Sequence, residues 1–294
     1  MNRESAHLRA IGWALSGACL YTLVFASARF IGPQSSPIQI VFMSYLISAV
    51  MVAAVAVFRL RGTGPLRTQV PGVHLARAVA SVLAQLCLIS APLFIAYEDA
   101  TAIGLTDSVV TMLLAVVLLK ERAGLLQWVA AATCLLGAVV VARADAAASG
   151  FGAPEIGLAL AAGGAVFAGV ELFFIKILSE RDDPITIILI VNLLGALLML
   201  GPAMWVWEPI TGRDFLWLML IGPLLLAEEY CWIKALRGAR AMVVVPFGYA
   251  SIPFAAAVGA VVFHEHLGGQ EIAGAALVVI GGIALARLST QKAA

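Results

Sequence analysis

The sequence predicts an all-α integral membrane protein: ten transmembrane helices arranged as two inverted five-helix repeats, with both termini cytoplasmic. Composition, the placement of basic residues and an internal repeat carry that prediction. The 294 residues are 62% hydrophobic and 12% charged, with a mean hydropathy of +1.02. A soluble domain carries about 45–50% apolar and about 25% charged residues, so a soluble chain of this length could not hide so much apolar surface. Disorder is excluded by the same figures, because disordered chains are polar and charge-rich. A net charge of +1 gives no electrostatic basis for a nucleic-acid partner. Cys19, Cys87, Cys134 and Cys231 fall in apolar runs without metal-type spacing and read as small buried residues.

A helix needs about 20 mostly apolar residues to cross roughly 30 Å of hydrocarbon. Runs between charged or Gly/Pro breaks give, in order, Ala10–Ala28, Pro37–Phe58, Leu75–Ala96, Ala100–Leu119, Gly124–Ala142, Glu155–Leu178, Ile185–Trp207, Phe215–Ile233, Ala241–Phe263 and Gly269–Ala286. The third and fourth are separated by Tyr97-Glu98-Asp99, adjacent carboxylates that lipid does not tolerate. The first run has a second reading as a signal peptide, with Arg3 and Arg9 ahead of it and Ala26-Ser27-Ala28 as a small-residue cleavage site. The repeat favours a helix there, because the sixth run needs a counterpart. With the N-terminus inside, 15 of the 18 basic residues, Arg77, Lys176 and Lys234 among them, fall in cytoplasmic segments. Only Arg29, Arg143 and Arg213 fall outside, and the asymmetry orients the chain.

Glu121–Arg143 aligns without gaps on Glu265–Arg287, matching at seven of 23 positions, Gly124/Gly268 and Gly137/Gly281 among them. Upstream, Ile11-Gly12 pairs with Ile156-Gly157 and Pro37-Ile38 with Pro184-Ile185, so the offset stays between 144 and 147 residues. Each copy, residues 1–147 and 148–294, holds five runs. Five is odd, so the second copy enters the membrane upside down, the architecture of secondary transporters.

Glu98-Asp99-Ala100-Thr101-Ala102-Ile103 and Leu118-Leu119-Lys120-Glu121, with Val245-Pro246-Phe247 and Phe263-His264-Glu265 in the second copy, resemble the drug/metabolite transporter superfamily, EamA type. The likeness covers nearly the whole chain. It implies that helices 5 and 10 stand at the periphery while the other eight surround a central cavity. The Gly- and Ala-rich fifth and tenth runs suit close packing. Two stretches depart from the family pattern: Phe42-Met43-Ser44-Tyr45 lacks the usual charge early in helix 2, and Glu228-Glu229 replaces the usual Gly-Gln or Gly-His of helix 8. Both make the cavity more negative, so a family-average substrate is not to be assumed.

An ionisable group at a bilayer-spanning helix centre costs about 2.5–3.5 kcal/mol, so such groups face a cavity or a partner. Asp107, Glu171, Glu228 and Glu229 are the four. Glu171 shares a face with Gly164, Phe167 and Phe174, and Trp232 stands three residues beyond Glu229 as a cation–π surface. Adjacent Glu228 and Glu229 project about 100° apart, so one of them faces the centre. The plain reading is that these carboxylates pair with Lys176, Lys234, Arg77 or backbone donors and hold helices together. The functional reading is a cation or proton site, led by Glu171 and Glu229. Gln85 and Asn192, amides that must find partners in hydrocarbon, follow as softer candidates, and after them Tyr21, Tyr45, Tyr97, Tyr230 and Tyr249, for which packing or interface anchoring is the commoner role than ligand binding. Pro92, Pro223, Pro246 and Pro253 free carbonyls in helices 3, 8 and 9.

His264-Glu265-His266 lacks the i, i+4 spacing of a helical metal site, and no Walker lysine motif is present, so neither a metal, a cofactor nor ATP drive is expected. The partners expected are the lipid bilayer and a small-molecule substrate. Clustered carboxylates and an arginine-poor core favour an amine-bearing metabolite, an amino acid or organic cation, over phosphorylated cargo. Export follows the habit of the resembled family; import of a larger amine such as S-adenosylmethionine is the alternative. A membrane-embedded enzyme would need a nucleophile–base pair that only the histidines approach, and a non-transporting scaffold would ignore neutralisation of Glu171 or Glu229.

Overall fold

Proline or a short polar cap starts several of the helices. In the computed structural model, which describes residues 3–28, 30, 36–63, 68–95, 100, 103–121, 124–142, 154–262, 264 and 268–291, no strand occurs among the described residues. Helices α1 (Arg3–Ala28), α2 (Pro37–Thr63) and α3 (Pro71–Ser90) precede a 3-10 turn at Ala91–Leu93. Then come α4 (Asp107–Leu118), α5 (Leu125–Ala142), α6 (Pro154–Ser179), α7 (Pro184–Trp205) and α8 (Gly212–Gly238). A short α9 (Ala241–Val244) passes through a 3-10 segment (Val245–Ala250) into α10 (Ser251–Val262), and α11 (Gly269–Gln291) ends the described chain. Four helices open on proline, whose missing N–H is no loss in the first turn. At α7 the Asp183 carboxylate accepts from Ile185 N at 3.0 Å, and at α8 the Thr211 hydroxyl accepts from Asp214 N at 3.2 Å.

Six stretches are long and apolar enough to cross a membrane: Pro37–Phe58, Pro71–Leu93, Glu155–Ser179, Pro184–Trp205, Gly212–Gly238 and Ala241–Val262. Three shorter apolar helices, α4, α5 and α11, accompany them. Large apolar side chains face outward along this bundle: Trp205 is 90% exposed, Leu125 79% and Phe58 74%. Water would not tolerate that surface, whereas lipid solvates it.

Several boundaries differ from the sequence expectation. Helix α1 starts at Arg3, seven residues before the first apolar run, because a helix need not stop where its apolar stretch does. The fourth run is broken: Ile103 and Gly104 are helical, Leu105 and Thr106 form a turn, and α4 restarts at Asp107. Among the expected proline breaks, α8 runs through Pro223, while Pro92 and Pro246 sit in 3-10 turns. Tyr97-Glu98-Asp99, Thr101-Ala102, Arg29, Arg143, Phe263, Glu265 and His266 lie outside the described residues.

The most extensive helix pairings are α5 with α11, α1 with α8, α3 with α6, and α2 with α7. Glycines set the closest. A Cβ on Gly137 of α5 would lie 2.6 Å from Gly274 O and 2.8 Å from Val278 N. A Cβ on Gly281 of α11 would lie 2.8 Å from Ala130 O and 2.5 Å from Cys134 Sγ. The two sets correspond residue for residue at a spacing of 144, and Cys134 Sγ itself meets Val278 O, 144 positions on, at 3.6 Å. The same spacing separates Lys120 and His264, the two non-glycine residues with positive φ (54° and 55°) among the described residues. It also separates Leu105 and Tyr249, whose hydroxyl donates to the Leu105 carbonyl at 3.0 Å across the two broken helices.

Candidate functional site: a buried arginine among three carboxylates

Helix α3 carries His74, Arg77, Ser81 and Gln85 at spacings of three, four and four, a polar stripe along one face of an apolar helix. Gly164 on α6 lets this face come close, since a Cβ there would lie 2.8 Å from Leu88 and 3.1 Å from Cys87. Glu171, two turns further along α6, then meets the stripe.

Arg77 is completely buried. Its Nη2 pairs closely with Glu229 of α8 and lies 3.6 Å from Glu171 of α6, while Nη1 donates to the Ile187 carbonyl of α7 at 3.3 Å. Ser81 donates to Glu171 at 2.8 Å, Tyr45 of α2 donates to Ser81 at 2.7 Å, and Gln85 donates to the Tyr45 hydroxyl at 3.0 Å. Asn192 of α7 donates to the second oxygen of Glu229 at 3.2 Å and to the Ile188 carbonyl at 2.9 Å. Gly195 makes room for Tyr45, whose ring would lie 2.6 Å from a Cβ there. Glu228 is the third carboxylate, next to Glu229 on α8 and one helical turn before Trp232. One guanidinium thus serves five helices' worth of polar side chains in a low-dielectric interior, where charge interactions are strong and unpaired charges costly.

Glu171, Glu229, Glu228, Tyr45, Gln85 and Asn192 therefore come together. Trp232 joins them as a wall, not an open ring face: it is 8% exposed, with its indole edge against Gly17 and its far end against Gly248. A cation–π contact lies elsewhere, with Lys234 over the Tyr230 ring at 5.7 Å. Phe167 and Phe174 are half-buried on α6, the latter tilted against Phe173 at 5.8 Å. Tyr21 is 41% exposed on α1.

Asp107 and Tyr249 belong to a second polar cluster, at the crossing of the broken helices. Asp107 opens α4 and accepts from the Ser108 hydroxyl at 2.9 Å; Thr111 donates to the Gly169 carbonyl at 3.0 Å. Among the described residues no three His, Cys, Asp or Glu side chains are grouped to hold a metal ion.

The sequence reading names Arg77 as a pairing partner of these carboxylates, which the structure shows, but counts it in a cytoplasmic segment outside an arginine-poor core. The structure puts Arg77 two turns inside α3, because α3 begins at Pro71 and two carboxylates on other helices meet the guanidinium. The 3-4-4 polar stripe was the signal for it. Below the cluster, toward the start of α3, His74 Nε2 lies 2.7 Å from Asp182, which also accepts from Thr68 at 2.6 Å. At the same end Lys176 donates to the Leu236 and Ala239 carbonyls (2.8 and 3.0 Å), and Glu121 accepts from the N–H groups of Ala241 and Met242 (3.0 and 3.1 Å). A cavity of about 420 Å³ lined by His7, Lys176, Arg237 and Arg240 lies at this end too, separate from the carboxylates.

An apolar helical bundle that gathers its charges on facing inner surfaces is built as a multi-pass membrane transporter. The EamA-like transporter family matches residues 8–143 and again residues 155–287; the chain belongs to that family. It is 27% identical over 286 residues to a riboflavin transporter of Vibrio cholerae serotype O1 (strain ATCC 39315 / El Tor Inaba N16961), covering 95% of this chain and 93% of that protein. A solved crystal structure superposes with a TM-score of 0.80 at 20% identity, over 98% of both chains; at that identity the likeness is one of fold.

Proposed function

We propose that this chain is a secondary transporter that moves a small amine-bearing metabolite, an amino acid or an organic cation, out of the cell by alternating access, with proton exchange at the central carboxylates. The observation that carries it is the charge count of the cluster: Glu171 and Glu229 share one buried guanidinium, Glu228 adjoins Glu229 in the chain, and Glu171 and Glu229 keep 21% and 16% of their side chains exposed. An ammonium group is the chemistry that such surplus negative charge attracts.

Ten crossings in two inverted repeats, residues 1–147 and 148–294, supply the moving parts. Contacts that exchange partners at a spacing of 144, between α5 and α11 and between the two broken helices, support that reading. So does the swap of α1–α8 for α6–α3 among the main pairings. The starts of α3 and α7 and the ends of α6 and α8 share one end of the bundle, which we assign to the cytoplasm of an inner membrane, together with both termini.

A second reading is favoured by the name of the riboflavin transporter: a flat, largely uncharged aromatic solute held by Gln85, Asn192 and Tyr45. Import of a bulky amine such as S-adenosylmethionine would use the same cluster in the other direction.

Thermal melting of the detergent-purified protein against organic amines, zwitterionic amino acids, riboflavin and organic anions separates these. A ligand at 100 times its dissociation constant adds about 2.7 kcal/mol. Stabilisation by amines in the wild type, lost in Glu171→Gln, is the expected result. Stabilisation by riboflavin alone selects the second reading, and a response to anions alone overturns both.

A further inference from the structure

Arg77 sits behind the carboxylates, not beside them. Its side chain has no exposure, while those of Glu171 and Glu229 are 21% and 16% exposed, so an incoming solute meets the carboxylates first. Its bonding is also incomplete. Nε has no partner, Nη2 is divided between two carboxylates, and Nη1 makes one long bond to Ile187. A guanidinium fixed for strength alone forms a two-pronged fork on one carboxylate. Other cations nearby are engaged elsewhere: Lys176 on Leu236, Ala239 and Glu180, and Lys234 over Tyr230.

Resting on the reading of this cluster as an amine site, we propose that Arg77 is a built-in counter-ion that competes with the substrate. It offsets Glu171 and Glu229 when the site is empty and yields them to an incoming amine. Buried carboxylates without a positive partner resist any rearrangement that takes them further from water. With Arg77 present the unloaded site is partly neutralised and can reorganise, so the carrier supports net transport and is not confined to exchanging one substrate for another. The same side chain ties α3 to α6, α7 and α8, so an amine that takes over the carboxylates also loosens that joint.

The test has a sign that a structural arginine would not give. Full-length wild type, Arg77→Gln and Arg77→Lys are titrated in detergent with methylguanidinium, the head group of Arg77 itself, and binding is read by calorimetry and melting. Arg77→Gln is expected to bind it about tenfold tighter than wild type or better. Arg77→Lys, which keeps the charge, is expected to stay within about threefold of wild type, and adding Glu229→Gln to Arg77→Gln to abolish the gain. Equal or weaker binding by Arg77→Gln overturns the proposal. So does an Arg77→Gln protein that fails to fold even in millimolar methylguanidinium, which makes Arg77 a strut. If amines stabilise wild type through Glu171 but Arg77→Gln gains nothing, the counter-ion fails alone; if no cation affects either protein, the amine site fails with it.

Discussion

Helices α3 and α6 meet through an arginine, a serine and a glutamate; α5 and α11 meet through glycines and alanines. At the first interface the contacts are hydrogen bonds and charge pairs that a solute or a proton can replace one at a time. At the second, Gly137 and Gly281 bring backbone against backbone, with the thiol–carbonyl contact of Cys134 with Val278 near the middle and a hydrogen bond from Gln270 to the Val140 carbonyl at 3.1 Å near one end. Packing of that kind is held by dispersion and falls off sharply with separation, so it tolerates little sliding. Under the proposed function, the first interface belongs to the working core and the second to the frame around it.

The largest expected effect is at the working interface. Glu229→Gln leaves Glu171, at 3.6 Å, as the one carboxylate paired with Arg77, and should cost about 3 kcal/mol of stability by melting in detergent. A loss no greater than that of Glu171→Gln would place the main pairing elsewhere. In the frame, Gly137→Ala and Gly281→Ala each push a methyl into backbone and should each cost about 1–3 kcal/mol. Because the two lie on one contact surface, their double variant should cost less than the sum. Glu121→Gln weakens a charged acceptor for two backbone N–H groups at the start of α9 and should cost about 1 kcal/mol. Gly163→Ala faces open space and should change stability by less than about 1 kcal/mol, in the stabilising direction. If it cost as much as Gly137→Ala, helix flexibility and not close approach would explain the frame glycines.

Much of this was legible in the sequence because lipid leaves few options. Long apolar runs become helices, and Glu171, Glu229 and Asn192 could not stand in hydrocarbon without partners, so their gathering followed from cost alone. Arg77 was legible as a pairing partner of these carboxylates, but its depth was not: basic residues near helix ends are ordinarily counted as loop charges, and its spacing from Ser81 and Gln85 was the sign that it lies inside the helix. The wall role of Trp232 was not readable either, since it depends on Gly17 and Gly248 of distant segments closing on its ring. Asp107 and Tyr249 read as cavity residues because each is polar in an apolar run; their cluster forms where two helices break, and Leu105-Thr106 carries no proline or glycine pair to announce a break.

The close partners Cys134 and Val278 are 144 residues apart, and that distance sets a schedule for biogenesis. At about 5–20 residues per second of synthesis, α5 enters the membrane roughly 7–30 s before α11 emerges. During that wait its glycine face lies against lipid tails, which replace protein contacts without exposing apolar surface to water. The earlier part of the chain therefore waits as a partly assembled group of helices, and the arrival of α11 closes the frame.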